Sequence, residues 1–524
     1  MEKDNRPTLH NMQAGAEENR KDSHSEFDEI RPYGPGEVRD AVETLLKDRQ
    51  FMTMIRGLVP LPKSVIRFIV RTMFIGVSTP LDFQLRYMKH IVRYVIRKCS
   101  DGCTFSGHPL PSKAAHHTYV SNHRDIVLDS AILSLKLIEA HYDNTVEIAI
   151  GDNLLIYPWI RTLVKINKAF TVRRGLSPRQ LMESSQLMSR YIHHAINEKG
   201  ENIWIAQREG RAKDSDDRTQ ESVLKMLAYG GPLRELNIVP LAISYEYDPC
   251  DWLKAKEFQL KRDNPAYKKT KQDDLENMKT GIMGYKGRIH YECAPCINEW
   301  IDEYEGLSKN DFYTAVAQRM DREIHKGYRL FPGNYVALDM VNGNRDNSDK
   351  YTEADEKRFV DYIQGQLDKI DIPGKDERFL REKILTMYAN TVDFGNNAFG
   401  IKTAAKTYFN TTPDKLTPEQ AALLVGMLKA TSYYNPISHP ANSLKRRNQV
   451  LINMRDHNDI TADACDSLMK KPIELDVQPM DDDQGRAKYF RDAVAKFLKQ
   501  QPEIEGYDLY SSGLRIYTTI DTRL

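Results

Sequence analysis

Between about residues 115 and 250, short apolar runs alternate with longer stretches in which apolar positions recur every three or four residues. HHTYVSN, VEIAIGD, KAFTV, NIWIAQ and NIVPLAISY have the length and β-branched content of buried strands. DSAILSLKLIEA and SPRQLMESSQLMSRYIHHAINEKG, lying between them, have helical periodicity. The alternation predicts an α/β domain with a partly parallel sheet. Helical patterns dominate on either side. In PKSVIRFIVRTMFIGVS, Lys63, Arg67 and Arg71 recur at every fourth position, while Ile66, Phe68, Ile69, Val70, Met73 and Phe74 fill most of the remaining circumference. In QLRYMKHIVRYVIRKC, Arg86, Lys89, Arg93 and Arg97 face away from Leu85, Met88, Ile91, Val92, Val95 and Ile96. Apolar faces bordered by basic stripes suit a helix lying in the headgroup region of an anionic membrane. They equally suit an amphipathic helix packed on a core.

Composition narrows this picture. The 524 residues are 40% hydrophobic and 28% charged, with a formal net charge of +1, so nucleic acid is not expected as a partner. Six cysteines in a chain this long do not make a disulfide framework, and a reducing compartment is expected. The start of the chain carries no secretory signal, and no run approaches the roughly 20 apolar residues of a membrane span. The expected organisation is a disordered tail over 1–30, a helical membrane-docking region over 31–110 and a catalytic α/β domain over 111–335. Its C-terminal helices follow over 336–390, and a distinct segment over 391–524. The expected location is peripheral, on the cytoplasmic face of the inner membrane.

The chemistry begins at SNHRDIVLDSA, residues 121–131. A histidine leaving a strand, with carboxylates following, is the arrangement for general-base catalysis: neutral imidazole takes a hydroxyl proton and a carboxylate orients the ring. KAFTVRRG places Arg173 and Arg174 just past a strand, IWIAQREGRAKD places Glu209, Gly210 and Arg211 after another, and NIVPLAIS carries Pro240. These four segments, in this order, resemble the motifs of the glycerolipid acyltransferase family, typified by lysophosphatidic acid acyltransferase, over roughly residues 80–330. The resemblance implies transfer of a fatty acyl group from acyl-CoA or acyl-carrier protein to a lipid or glycerol-phosphate acceptor at a membrane surface. His123 would be the base, Arg173, Arg174, Glu209, Gly210, Arg211 and Pro240 would bind substrate, and neither metal nor cofactor is required. The family spaces histidine and aspartate by four residues, but position 128 is Leu128 and the carboxylates are Asp125 and Asp129. Asp129 keeps the place ahead of the apolar helix and is preferred. Asp125 suits an N-cap of a helix starting near Ile126.

After residue 390 the pattern changes. FGNNAFGI, AAKTYF, LTPEQAALL, YNPISHP and RRNQVL resemble the peptidoglycan glycosyltransferase domain of bifunctional penicillin-binding proteins, and GLRIYTTIDTRL resembles the linker into their transpeptidase domain. The combined fold class is therefore an α/β acyltransferase domain with N-terminal amphipathic helices, plus a partial lysozyme-like α-helical glycosyltransferase segment. The two resemblances meet at KILTMYAN, 383–390, which reads either as a fusion by recombination or as an artificial joining of two genes. The glycosyltransferase family needs an early EDxxFxxHxG glutamate, a GGSTITQQ loop and an RKxxE helix, none of which occurs here, so that segment is expected to be inactive and loosely packed. Two alternatives stand beside acyl transfer: a peptidoglycan glycosyltransferase with an accessory N-terminal domain, and a non-catalytic membrane-associated scaffold.

Overall fold

The computed structural model describes residues 26–477, apart from 59–60, 108–109, 214, 343–344, 393, 395–397, 399, 429–430, 432 and 457–458. Most of the expected tail over 1–30, the centre of FGNNAFGI and the GLRIYTTIDTRL stretch lie outside the described residues. Of the tail, Phe27 and Ile30 are described, and both are buried in the main core against Phe170 and Tyr191. The packed part thus begins before residue 31.

Seven strands form one sheet: β1 (Cys103–Gly107), β2 (Thr118–Ser121), β3 (Val146–Gly151), β4 (Ala169–Val172), β5 (Asn202–Ala206), β6 (Ile238–Tyr245) and β7 (Ile289–Cys293). Their spatial order is β1-β7-β6-β2-β5-β3-β4, with every pairing parallel except β6 with β7. The five strands read from hydrophobic runs all form, whereas β1 and β7 do not stand out in the sequence. Neighbouring residues go to opposite faces, as strand geometry requires. Val120, Phe170, Ile203, Ile205 and Ile238 face the helices Pro178–Asn197, Glu221–Leu227 and Lys309–Lys326. Tyr119, Ala169, Trp204, Val239 and Tyr291 face Lys89–Cys99 and Leu128–Glu139. Both faces are covered, which is why the parallel strands are apolar throughout rather than alternating.

The chain leaves β2 for β3 by passing over the position later filled by β5, while β6 lies on the other side of β2. In open parallel sheets such a reversal opens a crevice at the carboxyl ends of the strands, where ligands are bound.

A helical region follows. Helices Pro332–Asn342, Glu353–Asp368 and Glu377–Ala389 pack on the Asp251–Asp263 helix through Val336, Phe359, Ile363, Ile384 and Tyr388. There is no packing break at residue 390. Leu338 and Ala389 share a core with Val392, Phe394, Ala404, Tyr408 and Leu424. The expected loose packing after 391 is therefore corrected for the described residues: the helices before 390 supply the apolar surface that the later ones need. A second small core joins Ala422, Val425, Val450, Leu451 and Cys465.

Candidate functional site

The site starts where β2 ends. Asn122 is buried and clamps the chain to β6, its Nδ2 donating to the Ile243 carbonyl (2.9 Å) and its Oδ1 accepting the Ile243 amide (2.8 Å). His123 follows on the turn before the Leu128–Glu139 helix, with its Nδ1 2.8 Å from Asp129 Oδ2. Asp129 is fully buried, and its carboxylate also accepts the backbone amides of Arg124 (2.8 Å) and Asp125 (3.0 Å) and the Tyr245 hydroxyl (3.4 Å). A carboxylate held by that many donors cannot swing, so it fixes the ring. With Nδ1–H directed at Asp129, Nε2 is the basic nitrogen, ready to take a proton from a hydroxyl. The indole of Trp204 stands edge-on to the imidazole, with ring centres 5.7 Å apart.

Asp125 is differently employed. Its Oδ1 accepts the amides of Val127 and Leu128, both at 2.8 Å, so it closes the turn that leads into the helix. The helix itself begins at Leu128 rather than near Ile126. Burial, with the Asp129 charge adding to it, pushes the Asp125 carboxyl above its usual range.

Sequence reasoning missed Asp217. The loop after β5 folds back so that Asp217 Oδ2 accepts the His123 backbone amide (3.0 Å), and burial pushes its pKa up. Arg208 Nη1 lies 3.8 Å from Asp217 Oδ1, and Arg124 Nη1 donates to Ser215 Oγ (3.0 Å) on the same loop. Asp217 Oδ1, Arg208 Nε and Gln207 Nε2 are buried without hydrogen-bond partners. Unsatisfied buried polar atoms beside a base are what a bound polar group would complete. The acids of AKDSDDRTQ were visible as a cluster, but no spacing rule singles out position 217.

The structure does not gather the expected substrate-binding residues into one place. Arg173 pairs with Glu29, and Arg174 pairs with the exposed Glu209. Gly210 is exposed at φ 70°. Arg211 turns the other way: its Nη2 donates to Asn277 Oδ1 (3.1 Å), near the charges of Asp248 and Asp125. Pro240 is buried mid-sheet opposite Val120, its carbonyl accepting the Ala294 amide (2.9 Å), a packing position with no polar side chain to offer.

In the helical region the charged motif residues are absorbed by packing. Arg447 is 1% exposed, and its guanidinium donates to the carbonyls of Pro472 (3.3 Å) and Met469 (3.2 Å) and to Asn448 Oδ1 (3.1 Å). It thereby caps the C-terminal end of the Ala462–Lys470 helix, where a cation is favoured. Arg446 pairs with Asp346 at 3.1 Å. Val450 and Leu451 are core residues. A groove of ≈ 400 Å³ opens beside them, lined by Phe409, Glu419, Leu423, Arg447, Lys471 and Ile473. In it Glu419 Oε1 accepts from Lys471 (2.6 Å), and Glu419 Oε2 has no hydrogen-bond partner.

Comparison with known proteins bears on this second region. Residues 373–455 match the transglycosylase family. The chain is 31% identical over 149 residues to penicillin-binding protein 1A of Streptococcus oralis, covering 28% of this chain and 23% of that one. It is 36% identical over 148 residues to penicillin-binding protein 1A of Neisseria flavescens, covering 28% and 18%. With penicillin-binding protein 2a of Streptococcus pneumoniae the identity is 32% over 235 residues, covering 42% of this chain and 31% of that one. The crystal structure of penicillin-binding protein 1A from Haemophilus influenzae is similar at 28% identity, over 28% of this chain and 20% of that one, with a TM-score of 0.19. The chain thus spans about a quarter or less of the length of the first two relatives.

These findings correct the main functional expectation. The family and the relatives point to peptidoglycan glycosyl transfer, the alternative, and not to acyl transfer. The α/β region is accordingly described as a mixed seven-stranded sheet covered by helices, with no acyltransferase fold assigned to it. The match begins at residue 373, ahead of the expected boundary at 391, in agreement with the continuous packing there.

Proposed function

We propose that the protein is a peptidoglycan glycosyltransferase of the penicillin-binding type, with the helical region as its glycan-handling part and the α/β region supplying its base. The observation that carries the reading is that the transglycosylase match at 373–455 falls on a packed helical unit with a polar-ended groove. Its Glu419 and Lys471 offer an acceptor and a cation, and its Phe409, Leu423 and Ile473 offer apolar contact, as a saccharide with a hydrophobic carrier needs.

Transfer to a sugar hydroxyl requires a base, and the EDxxFxxHxG glutamate of the family is absent from this sequence. We place His123, oriented by Asp129, in that role, with Asp217, Arg208 and Gln207 as partners for the substrate's polar groups. What supports this is contact between the regions: Arg218 Nη2, next to Asp217, donates to Thr403 Oγ1 (2.6 Å), and Asp216 faces Lys402 at 3.7 Å.

The test is polymerisation of lipid II by the purified full chain, read as glycan ladders on a gel. Polymer formation is expected, with His123→Ala lowering the rate about 10²–10⁴-fold. Polymer at an undiminished rate in His123→Ala would keep the glycosyltransferase reading and remove the base assignment. No polymer and no binding of lipid II would overturn the whole proposal.

A further inference from the structure

The helix Lys63–Met73 carries its apolar residues on the outside. Only Ile66 is buried, while Val65, Phe68, Ile69 and Met73 are exposed, Phe68 at 71%; Ile75, just beyond the helix, is 72% exposed. Met54 and Leu61, on the preceding segment, are also exposed. At 100° per residue, 65, 68, 69, 72 and 73 share one face, 66, 70 and 74 the flank beside it, and 63, 67 and 71 the side opposite the ridge. The inward face packs with Val42, Leu46, Val77 and Phe83. The basic stripe lies along the edge of that inward face and is bound down to the helix Glu37–Lys47. Arg71 makes a two-pronged ion pair with Glu43 (2.7 and 2.6 Å), and Arg67 Nε donates to the Leu46 carbonyl (3.2 Å). Periodicity leaves open whether the apolar face lies in a membrane or packs on the core. In the structure Arg67 and Arg71 fix the helix so that its apolar face points away from the protein.

We propose that this ridge inserts into the interface of an anionic lipid bilayer. A soluble chain rarely leaves several large apolar side chains exposed on one helix without a partner for them. The choice of bilayer rests on charge. Residues 49–81 contain no Asp or Glu; Arg67 and Arg71 are held by the neighbouring helix, and Arg49, Arg56 and Lys63 stay exposed, within a chain whose net charge is only +1. A second copy of the same surface would set cations against cations, whereas anionic headgroups complement them while the acyl region receives Phe68, Ile69 and Ile75. Among the described residues no helix is long and apolar enough to cross a membrane. This inference is independent of the glycosyltransferase reading.

The experiment is co-sedimentation of the full chain with vesicles of phosphatidylcholine and phosphatidylglycerol at 3:1, with pure phosphatidylcholine as the second arm and size-exclusion chromatography alongside. The expected result is strong binding to the anionic vesicles. The double variant Phe68→Ser/Ile75→Ser should lower partitioning at least about tenfold at any salt concentration. Arg56→Glu/Lys63→Glu should weaken binding to the anionic vesicles alone, and less so as salt rises. All four side chains are exposed, so circular dichroism should be unchanged in both variants. Unaltered sedimentation of Phe68→Ser/Ile75→Ser overturns the proposal. So does a dimer in size exclusion that this variant abolishes, since the ridge would then be covered by a second copy.

Discussion

The carboxyl ends of the central strands and the helical region use their charged residues in opposite ways. After β2 and β5, Asp217 is brought to the His123 amide, and Asp217, Arg208 and Gln207 each keep a buried polar atom without a hydrogen-bond partner. In the helical region, Arg446 and Arg447, the most distinctive residues of the RRNQVL motif, are spent on an ion pair and on helix-end carbonyls. A motif residue therefore marks a family without marking a reacting centre. The residues proposed above for the chemistry lie in the other half of the molecule, and the two halves touch through Arg218 and Thr403.

The contrast can first be tested at the seam between the regions. Asp251 belongs to a helix of the α/β part, yet its buried carboxylate accepts the hydroxyls of Tyr388 (2.8 Å) and Tyr362 (2.9 Å) and the amide of Gln366, all from the helical part. Burial, and then the Asp248 charge, push its pKa up to about 7. A raised carboxyl pKa means that the folded state holds the proton more tightly than the unfolded one. Its contribution to stability is therefore greatest below the unfolded value near 4 and is lost as pH rises towards 7. Relative to Asp251→Asn, the wild type should lose roughly 4 kcal/mol between pH 4 and pH 8. Urea melts at a series of pH values measure this, and a pH-independent difference would put Asp251 at an ordinary pKa.

The next largest effect belongs to Arg447. Arg447→Met keeps the volume but leaves the Pro472 and Met469 carbonyls without their donor, which should cost about 3 kcal/mol. The loss should appear in the unfolding of the helical region while the sheet's near-ultraviolet signal melts unchanged. Loss of both together would mean that the regions unfold as one. Gly400 comes third. It sits at φ 78° at the start of the Gly400–Phe409 helix, and a Cβ there would approach the Asn390 carbonyl oxygen to 2.5 Å. Gly400→Ala should cost about 2 kcal/mol, from the left-handed backbone and the contact together.

Much of this was legible in the sequence, and unevenly so. Strands β2 to β6 announced themselves because both faces of a covered parallel sheet are apolar. CTFSG and IHYEC did not, since polar residues in them are satisfied across the pair of strands, as when Thr104 Oγ1 meets His290 Nδ1 at 2.7 Å. His123 and its carboxylates could be read from local spacing. Asp217 could not, because 94 residues of chain must fold back before it reaches the His123 amide. The basic stripe was legible, but not its direction. Periodicity gives the faces of a helix, and only the partners, here Glu43 and the Leu46 carbonyl, decide which face turns inward.

The smallest predicted effect isolates the contact between the two regions. Thr403 Oγ1 accepts from Arg218 Nη2 at 2.6 Å, and Thr403 otherwise lies on the Gly400–Phe409 helix, where valine fits the same volume. Thr403→Val removes one charge-assisted hydrogen bond and leaves Arg218 its ion pair with Asp216 (2.8 Å), so the guanidinium is not stranded. The stability cost should be about 1 kcal/mol or less. The informative readout is hydrogen exchange in the loop 208–220: protection there should fall while that of β2 and β5 holds. Exchange unchanged in that loop would show that the helical region does not help to hold Asp217 against His123, and that the two halves meet without acting on each other.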